Sequence, residues 1–208
     1  MASLLKIDVS PRGDASYSRQ LGKTFADSWQ AAHSGGNVVT RDLAVNQPTY
    51  VDVQWIAGAY SKPEDLTAEH KAALKLSDEI VAEVKAADTI LITTPMYNFQ
   101  VPAVLKAWID HLVRAGVTFS ASDQGYAGLI HGKKAVVIVT AAGAYDEGTP
   151  AAGYDLLTPY MKQILGFVGI TESTVVKAGG TAGIQYGKIS ADDWKKPFEE
   201  QVKTLATA

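Results

Sequence analysis

The sequence predicts an open, parallel α/β sheet of five strands in the order 2-1-3-4-5, with helices on both faces. Two observations predict it. Short apolar runs rich in β-branched residues alternate along the chain with longer amphipathic stretches, as repeated strand–helix units require. The strand-like runs, such as Thr89-Ile90-Leu91-Ile92 and Ala135-Val136-Val137-Ile138-Val139, are continuously apolar. That pattern fits strands covered on both faces, whereas half-exposed antiparallel strands alternate.

The first strand covers residues 3–9 and ends abruptly at Ser10-Pro11-Arg12-Gly13. A helix over residues 18–33 follows, with Leu21, Phe25 and Trp29 spaced four apart on one face. Ser34-Gly35-Gly36-Asn37 stops it, and residues 37–43 form the second strand. Residues 44–66 contain Pro48 and Pro63 and show no clear period. They are expected to be a long irregular excursion with one short helix around Trp55, functional or interface-forming. Thr67 reads as the N-cap of a helix that runs through Leu74, Ile80 and Val84 to Ala87. The third strand is residues 88–94, and a helix over 101–115 comes next. A Gly- and Ser-containing excursion (116–132) leads to the fourth strand, 133–140. The remaining elements are a helix over 151–168, a fifth strand over 171–178 and a final helix over 190–205. No internal repeat or low-complexity linker interrupts this order, so residues 1–208 are expected to form a single domain.

Composition narrows the function. The chain has 208 residues, 47% hydrophobic and 20% charged, a balance suited to a substantial core. A net charge of −3 and a pI of about 5.8 give no bulk attraction to nucleic acid or anionic membrane. Lys133-Lys134 and Lys195-Lys196 are isolated basic pairs of a solvated surface. With no cysteine, disulfides, thiolate metal sites and cysteine nucleophiles are excluded. His33, His70, His111 and His131 show no metal-ligand spacing and read as surface or helix-end residues. The first residues lead straight into a strand, so no signal peptide is expected. No apolar run approaches the ~18 residues needed to span a bilayer, and the expected location is cytoplasmic, by elimination.

In an open parallel sheet, ligands bind beyond the carboxyl ends of the strands, where strand order reverses. With the order above, the loops after strands 1, 3 and 4 converge. The first holds Ser10, Ser16, Tyr17 and Ser18 at the entrance of a helix, where free N–H groups and the helix dipole favour an anion. Arg12 or Arg19 is placed to add charge. No Gly-x-Gly-x-x-Gly or Walker pattern is present, which leaves a hydroxyl-lined mononucleotide phosphate site; ordinary N-capping by Ser16 or Ser18 is the alternative. The second loop, Pro95-Met96-Tyr97-Asn98-Phe99, sets two aromatics beside a methionine just past a buried strand. Such a cluster either receives a flat aromatic ligand, with Asn98 at its polar edge, or plugs the core beneath the next helix. The third loop, Thr140-Ala141-Ala142-Gly143-Ala144-Tyr145, consists mostly of small residues. It permits close backbone approach to a ligand, or is simply a tight strand-to-helix connection.

Taken together, Ser10, Ser16-Tyr17-Ser18, Pro95-Met96-Tyr97-Asn98-Phe99 and Ala115-Gly116-Val117-Thr118-Phe119 resemble the FMN-dependent NADH-azoreductases, also described as FMN-dependent NADH:quinone oxidoreductases. The resemblance runs over essentially the whole chain, including Leu165-Gly166-Phe167-Val168-Gly169-Ile170. It implies a flavodoxin-like homodimer. It also implies that Ser10 and Ser16 to Ser18 bind the FMN phosphate and ribityl chain, that Met96 to Phe99 hold the isoalloxazine, and that Thr140 to Gly143 hold its pyrimidine side. Phe119, Tyr145 and Phe167 are placed on the substrate side. Ala141 and Ala142 depart from the family's Ser-Arg-Gly-Gly form, replacing the Arg and the first Gly, so any contact from that Arg side chain is absent.

The resemblance further implies a ping-pong reaction in which NADH or NADPH delivers hydride to the flavin and a quinone or azo compound then takes the electrons. No side-chain nucleophile is required. Tyr145 and Asn98 are candidates for a general acid by position alone. The rival reading is a flavodoxin-type electron carrier that binds FMN without turning over small substrates. A non-catalytic α/β binding module is a third, and it predicts no flavin.

Overall fold

The computed structural model describes residues 1–208. In chain order the elements are β1 (Ser3–Asp8), α1 (Tyr17–Ala32), β2 (Asn37–Asp42), α2 (Val53–Tyr60), α3 (Ala68–Ala86), β3 (Thr89–Pro95), α4 (Ala103–Leu112), β4 (Phe119–Ser122) and β5 (Gly125–Gly128). They continue with β6 (Lys134–Thr140), α5 (Leu157–Phe167), β7 (Glu172–Ala178), α6 (Ala182–Gln185) and α7 (Ala191–Ala206). Strands β2-β1-β3-β6-β7 make one parallel sheet in that order, while β4 and β5 form a separate antiparallel hairpin. Without the hairpin strands, the order is the expected 2-1-3-4-5.

Successive side chains of a strand point to opposite faces, and this sorts the core into two layers. Leu5, Ile7, Ile90, Ile92, Val137 and Val139 face α3, α4 and α5. Leu4, Leu91, Val136, Ile138 and Val176 face α1 and α7. Leu105, Trp108 and Leu112 of α4 lie in the first layer and are fully buried. Leu21, Phe25 and Trp29 form the buried stripe of α1. Gly22 lets that helix approach closely, for a Cβ there would stand 2.3 Å from the Thr93 methyl group. Thr67 caps α3 in a reciprocal pair with His70: the His70 N–H donates to Thr67 Oγ1 and the Thr67 N–H to His70 Nδ1.

Two stretches differ from expectation. The 116–132 excursion contains the β4–β5 hairpin, whose four-residue strands are Ser-, Ala- and Gly-rich and so give little strand signal. The helix expected over 151–168 begins at Leu157. Residues Ala152–Tyr154 instead make one 3-10 turn, and the Asp155 carboxylate accepts the Thr158 N–H at 2.9 Å. This local bond stops the helix from extending backward. His111, expected at a surface or helix end, is at the helix end, in the last turn of α4; it is 1% exposed there, with Nε2 2.9 Å from the Thr49 carbonyl.

Candidate functional site

The carboxyl ends of β1, β3 and β6 are adjacent in the sheet, so the three loops that leave them are neighbours. Two backbone hydrogen bonds extend this pairing into the loops: Val9 N–H to the Thr93 carbonyl (3.0 Å) and Met96 N–H to the Thr140 carbonyl (2.8 Å).

In the first loop, Ser10, Ser16 and Ser18 are all buried. Ser16 stands at the N-cap of α1, yet its hydroxyl does not cap the helix; it lies 3.1 Å from Ser18 Oγ. The N–H groups of Tyr17, Ser18 and Arg19 find no acceptor within the chain. This first turn therefore offers three backbone donors at the positive end of a sixteen-residue helix, together with hydroxyls. The Tyr17 ring packs on Trp194 (centroids 5.1 Å) with Arg12 over its face, so Tyr17 contributes its backbone N–H to this turn.

Arg19 does not extend toward that turn. Its guanidinium donates twice to the Ser10 carbonyl (2.9 and 2.6 Å) and forks onto Asp42 at 2.5 and 2.7 Å, with Asp8 at 3.7 Å. Its charge is thus balanced by carboxylates, and its effect is to fix the backbone at Ser10. The Asp42 carboxyl is held below its ordinary value chiefly by the Arg19 hydrogen bond, and Arg19 is raised by the same bond. A carboxyl with a depressed folded value stabilises the fold above the ordinary carboxylate range, and that contribution is lost as pH falls through the folded value. Asp42→Asn is therefore expected to lower stability by about 2 kcal/mol at neutral pH. The gap to the unmodified chain should narrow below about pH 4, and urea titrations at both pH values would measure it. An unchanged gap on acidification would refute the assignment.

The second loop is a two-residue reverse turn. Tyr97 and Gln100 exchange backbone hydrogen bonds at 3.0 Å each way, and Asn98 (φ 48°) and Phe99 (φ 69°) between them are left-handed. Their N–H groups have no acceptor in the chain. Pro95 and Met96 are half-buried below, while Tyr97, Asn98 and Phe99 are exposed. The cluster is therefore no core plug. The Phe99 ring stacks on Tyr154 (5.2 Å, 29°) and meets Tyr145 edge-on (6.3 Å).

The third loop has its carbonyls occupied. Ala141 O accepts from Thr181 N and Thr181 Oγ1, Ala142 O from Ala182 N, and Gly143 O from Gly180 N, at 2.9 to 3.1 Å. The N–H groups of Ala142 and Gly143 remain free. Backbone contacts with the segment after β7 set this loop's shape, so Ala141 and Ala142 are accommodated without the family's Arg. Sequence reasoning overlooked that partner segment. Its signal was Gly179-Gly180 directly after an apolar strand, and a Cβ on Gly179 would lie 2.6 Å from the Gly143 carbonyl.

Phe119 and Phe167 lie in a second aromatic cluster. Their centroids are 4.7 Å apart, Tyr126 joins them, and none of these rings pairs with Phe99, Tyr145 or Tyr154. With Trp55 and Tyr60 they line a groove of about 400 Å³. The three loops thus come together with Tyr145, whereas Phe119 and Phe167 stand apart.

Residues 2–201 match the family described as Flavodoxin-like fold. An FMN-dependent NADH:quinone oxidoreductase of Nostoc sp. is 48% identical over 179 residues, 86% of each chain. FMN-dependent NADH:quinone oxidoreductase 2 of Jannaschia sp. is 41% identical over 206 residues, 99% of this chain and 100% of the relative. Among solved structures, an azoreductase from Bacillus anthracis superposes with a TM-score of 0.89 at 30% identity, covering 100% of this chain and 99% of that one. The chain belongs to the flavodoxin-like fold family and, within it, to the FMN-dependent NADH:quinone oxidoreductases.

Proposed function

We infer that this chain binds FMN, takes hydride from NADH or NADPH, and reduces quinones and azo compounds in alternation at one site. The observation that carries this reading is the donor set. Three unpaired N–H groups and three buried serines at the start of α1 suit a phosphate. Further free N–H groups at Asn98, Phe99, Ala142 and Gly143, beside exposed aromatic rings, suit the polar edge and flat face of a flavin.

When bound, FMN supplies the hydride and electron transfer. The protein's part is binding and orientation. Ser10, Ser16, Tyr17 and Ser18 hold the phosphate and ribityl chain; Arg19 is already balanced by Asp42 and Asp8, which leaves Arg12, set over the Tyr17 ring, as the unpaired side-chain cation of this loop. Pro95 to Phe99 support the ring system, Thr140 to Gly143 present small residues and backbone N–H groups to it, and Tyr145 borders the substrate side. We assign Phe119 and Phe167, through the groove they line, to the same substrate side in a homodimer. Tyr50, Val53, Ile56 and Tyr60, exposed on and before α2, supply apolar surface for a second copy. No helix is long and apolar enough to cross a membrane. We further propose a cytoplasmic location and a single functional domain over residues 1–208.

Purified protein is expected to bind FMN stoichiometrically, and NADH in the absence of oxygen should bleach the bound flavin rapidly. Steady-state rates with a quinone or an azo dye should give parallel double-reciprocal lines. A colourless protein that leaves added FMN free refutes the proposal. FMN binding without rapid bleaching by either nicotinamide would instead indicate an electron carrier, a reading the mild charge of −3 does not favour.

A further inference from the structure

We propose that Tyr154 is a positioning residue for the flavin: it clamps Phe99 so that the 97–100 turn keeps its two N–H donors aimed at the cofactor edge. This inference rests on the reading of that turn as part of an FMN site. It begins from a backbone conformation. A two-residue turn with both central φ values positive suits Asn followed by Gly. Asn98 conforms, but Phe99 occupies the glycine-like position at φ 69°. A bulky residue in the left-handed region is an outlier that persists only when its surroundings hold it there.

Most of what holds it comes from one segment. The Tyr154 ring stacks on the Phe99 ring at 5.2 Å and 29°. Leu156 N–H donates to the Phe99 carbonyl, and Gln100 Nε2 donates to the Leu156 carbonyl, each at 3.2 Å. The segment is itself fastened. Asp155, with only 7% of its side chain exposed, accepts from Thr158 N and lies 3.8 Å from Lys177 Nζ. Lys177 also stands 3.8 Å from Asp146 and donates to the Tyr145 carbonyl at 3.2 Å. One lysine on β7 thus ties both ends of the 145–155 loop, and the loop holds Tyr154 against the turn.

Tyr154 itself is 59% exposed. A side chain so placed adds little to the core, so its removal separates an effect on the turn from an effect on folding. Without the stacked ring, Phe99 is free to leave the left-handed region, and the Asn98 and Phe99 N–H groups then reorient together. The ring does the clamping, not the tyrosine hydroxyl.

The test compares Tyr154→Ala and Tyr154→Phe with the unmodified chain. It uses three readouts: FMN affinity by fluorescence quenching, the visible absorption band of the bound flavin, and the Tm of the apoprotein. Tyr154→Ala is expected to weaken FMN binding about tenfold and to shift the absorption band, with the apoprotein Tm nearly unchanged. Tyr154→Phe should match the unmodified chain in all three. Unaltered affinity and spectrum in Tyr154→Ala overturn the proposal. So does equal impairment in Tyr154→Phe, or a loss of affinity accompanied by a comparable fall in apoprotein Tm, which marks a merely structural role. If the unmodified chain fails to bind FMN, the functional reading is overturned and this inference with it.

Discussion

Ser16→Asp is expected to weaken FMN binding by at least about a hundredfold, equivalent to some 3 kcal/mol, while lowering the Tm only slightly. The two effects share one cause. Ser16 occupies the N-cap of α1 but its hydroxyl does not cap the helix, and the N–H groups of Tyr17, Ser18 and Arg19 are left without acceptors. An aspartate is among the best N-cap residues, and it would bond to those donors and complement the helix dipole. Capping contributes about 1 kcal/mol, which offsets part of the cost of placing a carboxylate at a position only 3% exposed. The same carboxylate consumes the donors that the phosphate needs. It also sets like charges close together, and at an effective dielectric near 20 a pair about 4 Å apart is unfavourable by about 4 kcal/mol. Arg19 does not relieve this, because it is engaged with Asp42 and the Ser10 carbonyl. Fluorescence titration with FMN and thermal denaturation of the apoprotein measure the two effects. FMN affinity within threefold of the unmodified chain would show that the phosphate lies elsewhere.

Gly169→Ala is expected to be strongly destabilising. Gly169 has φ +105°, outside the range that L side chains readily adopt, and an added Cβ would stand 2.6 Å from the Ile130 carbonyl. Across the same contact, a Cβ on Gly128 would lie 2.2 Å from Gly169 N. The backbone of the β4–β5 hairpin therefore rests directly on the end of α5, held by the Ile130 N–H to Val168 carbonyl bond of 2.9 Å. Backbone strain and overpacking each cost roughly 1–3 kcal/mol, so a loss of about 4 kcal/mol is expected. For a chain of this size that corresponds to a fall in Tm of roughly 8–16 °C. The groove lined by Phe119, Tyr126 and Phe167 is built across this contact, so turnover of quinones should fall even below the new Tm. A Tm within about 2 °C of the unmodified chain, less than 1 kcal/mol would produce, would refute the contact.

The sheet was legible in the sequence because parallel strands buried on both faces are continuously apolar, as the cores of β3 and β6 are. The N-cap at Thr67 was legible because a cap is a local bond between residues three apart. Residue types together with the expected strand order also singled out the three loops proposed to hold the cofactor, since hydroxyls, aromatics and small residues follow the strands whose carboxyl ends converge. The hairpin was not legible because its partner is distant along the chain: Gly128 meets Gly169. The late start of α5 is set locally, by the Asp155 carboxylate on the Thr158 N–H, within a stretch whose pattern reads as helix.

The pattern of residues by itself thus determined the sheet and the three loops that converge at its carboxyl end. Only the tertiary structure decided how those loops are held. Arg19, which by position was a candidate phosphate ligand, is turned by Asp42 into a brace for Ser10. The loop at Ala141-Ala142 takes its shape from the segment after β7. Phe99 is fixed in its strained turn by Tyr154, fifty-five residues away. Side-chain chemistry is written in sequence, but the commitment of each charge and ring to one partner is a contest among groups that only folding brings into reach.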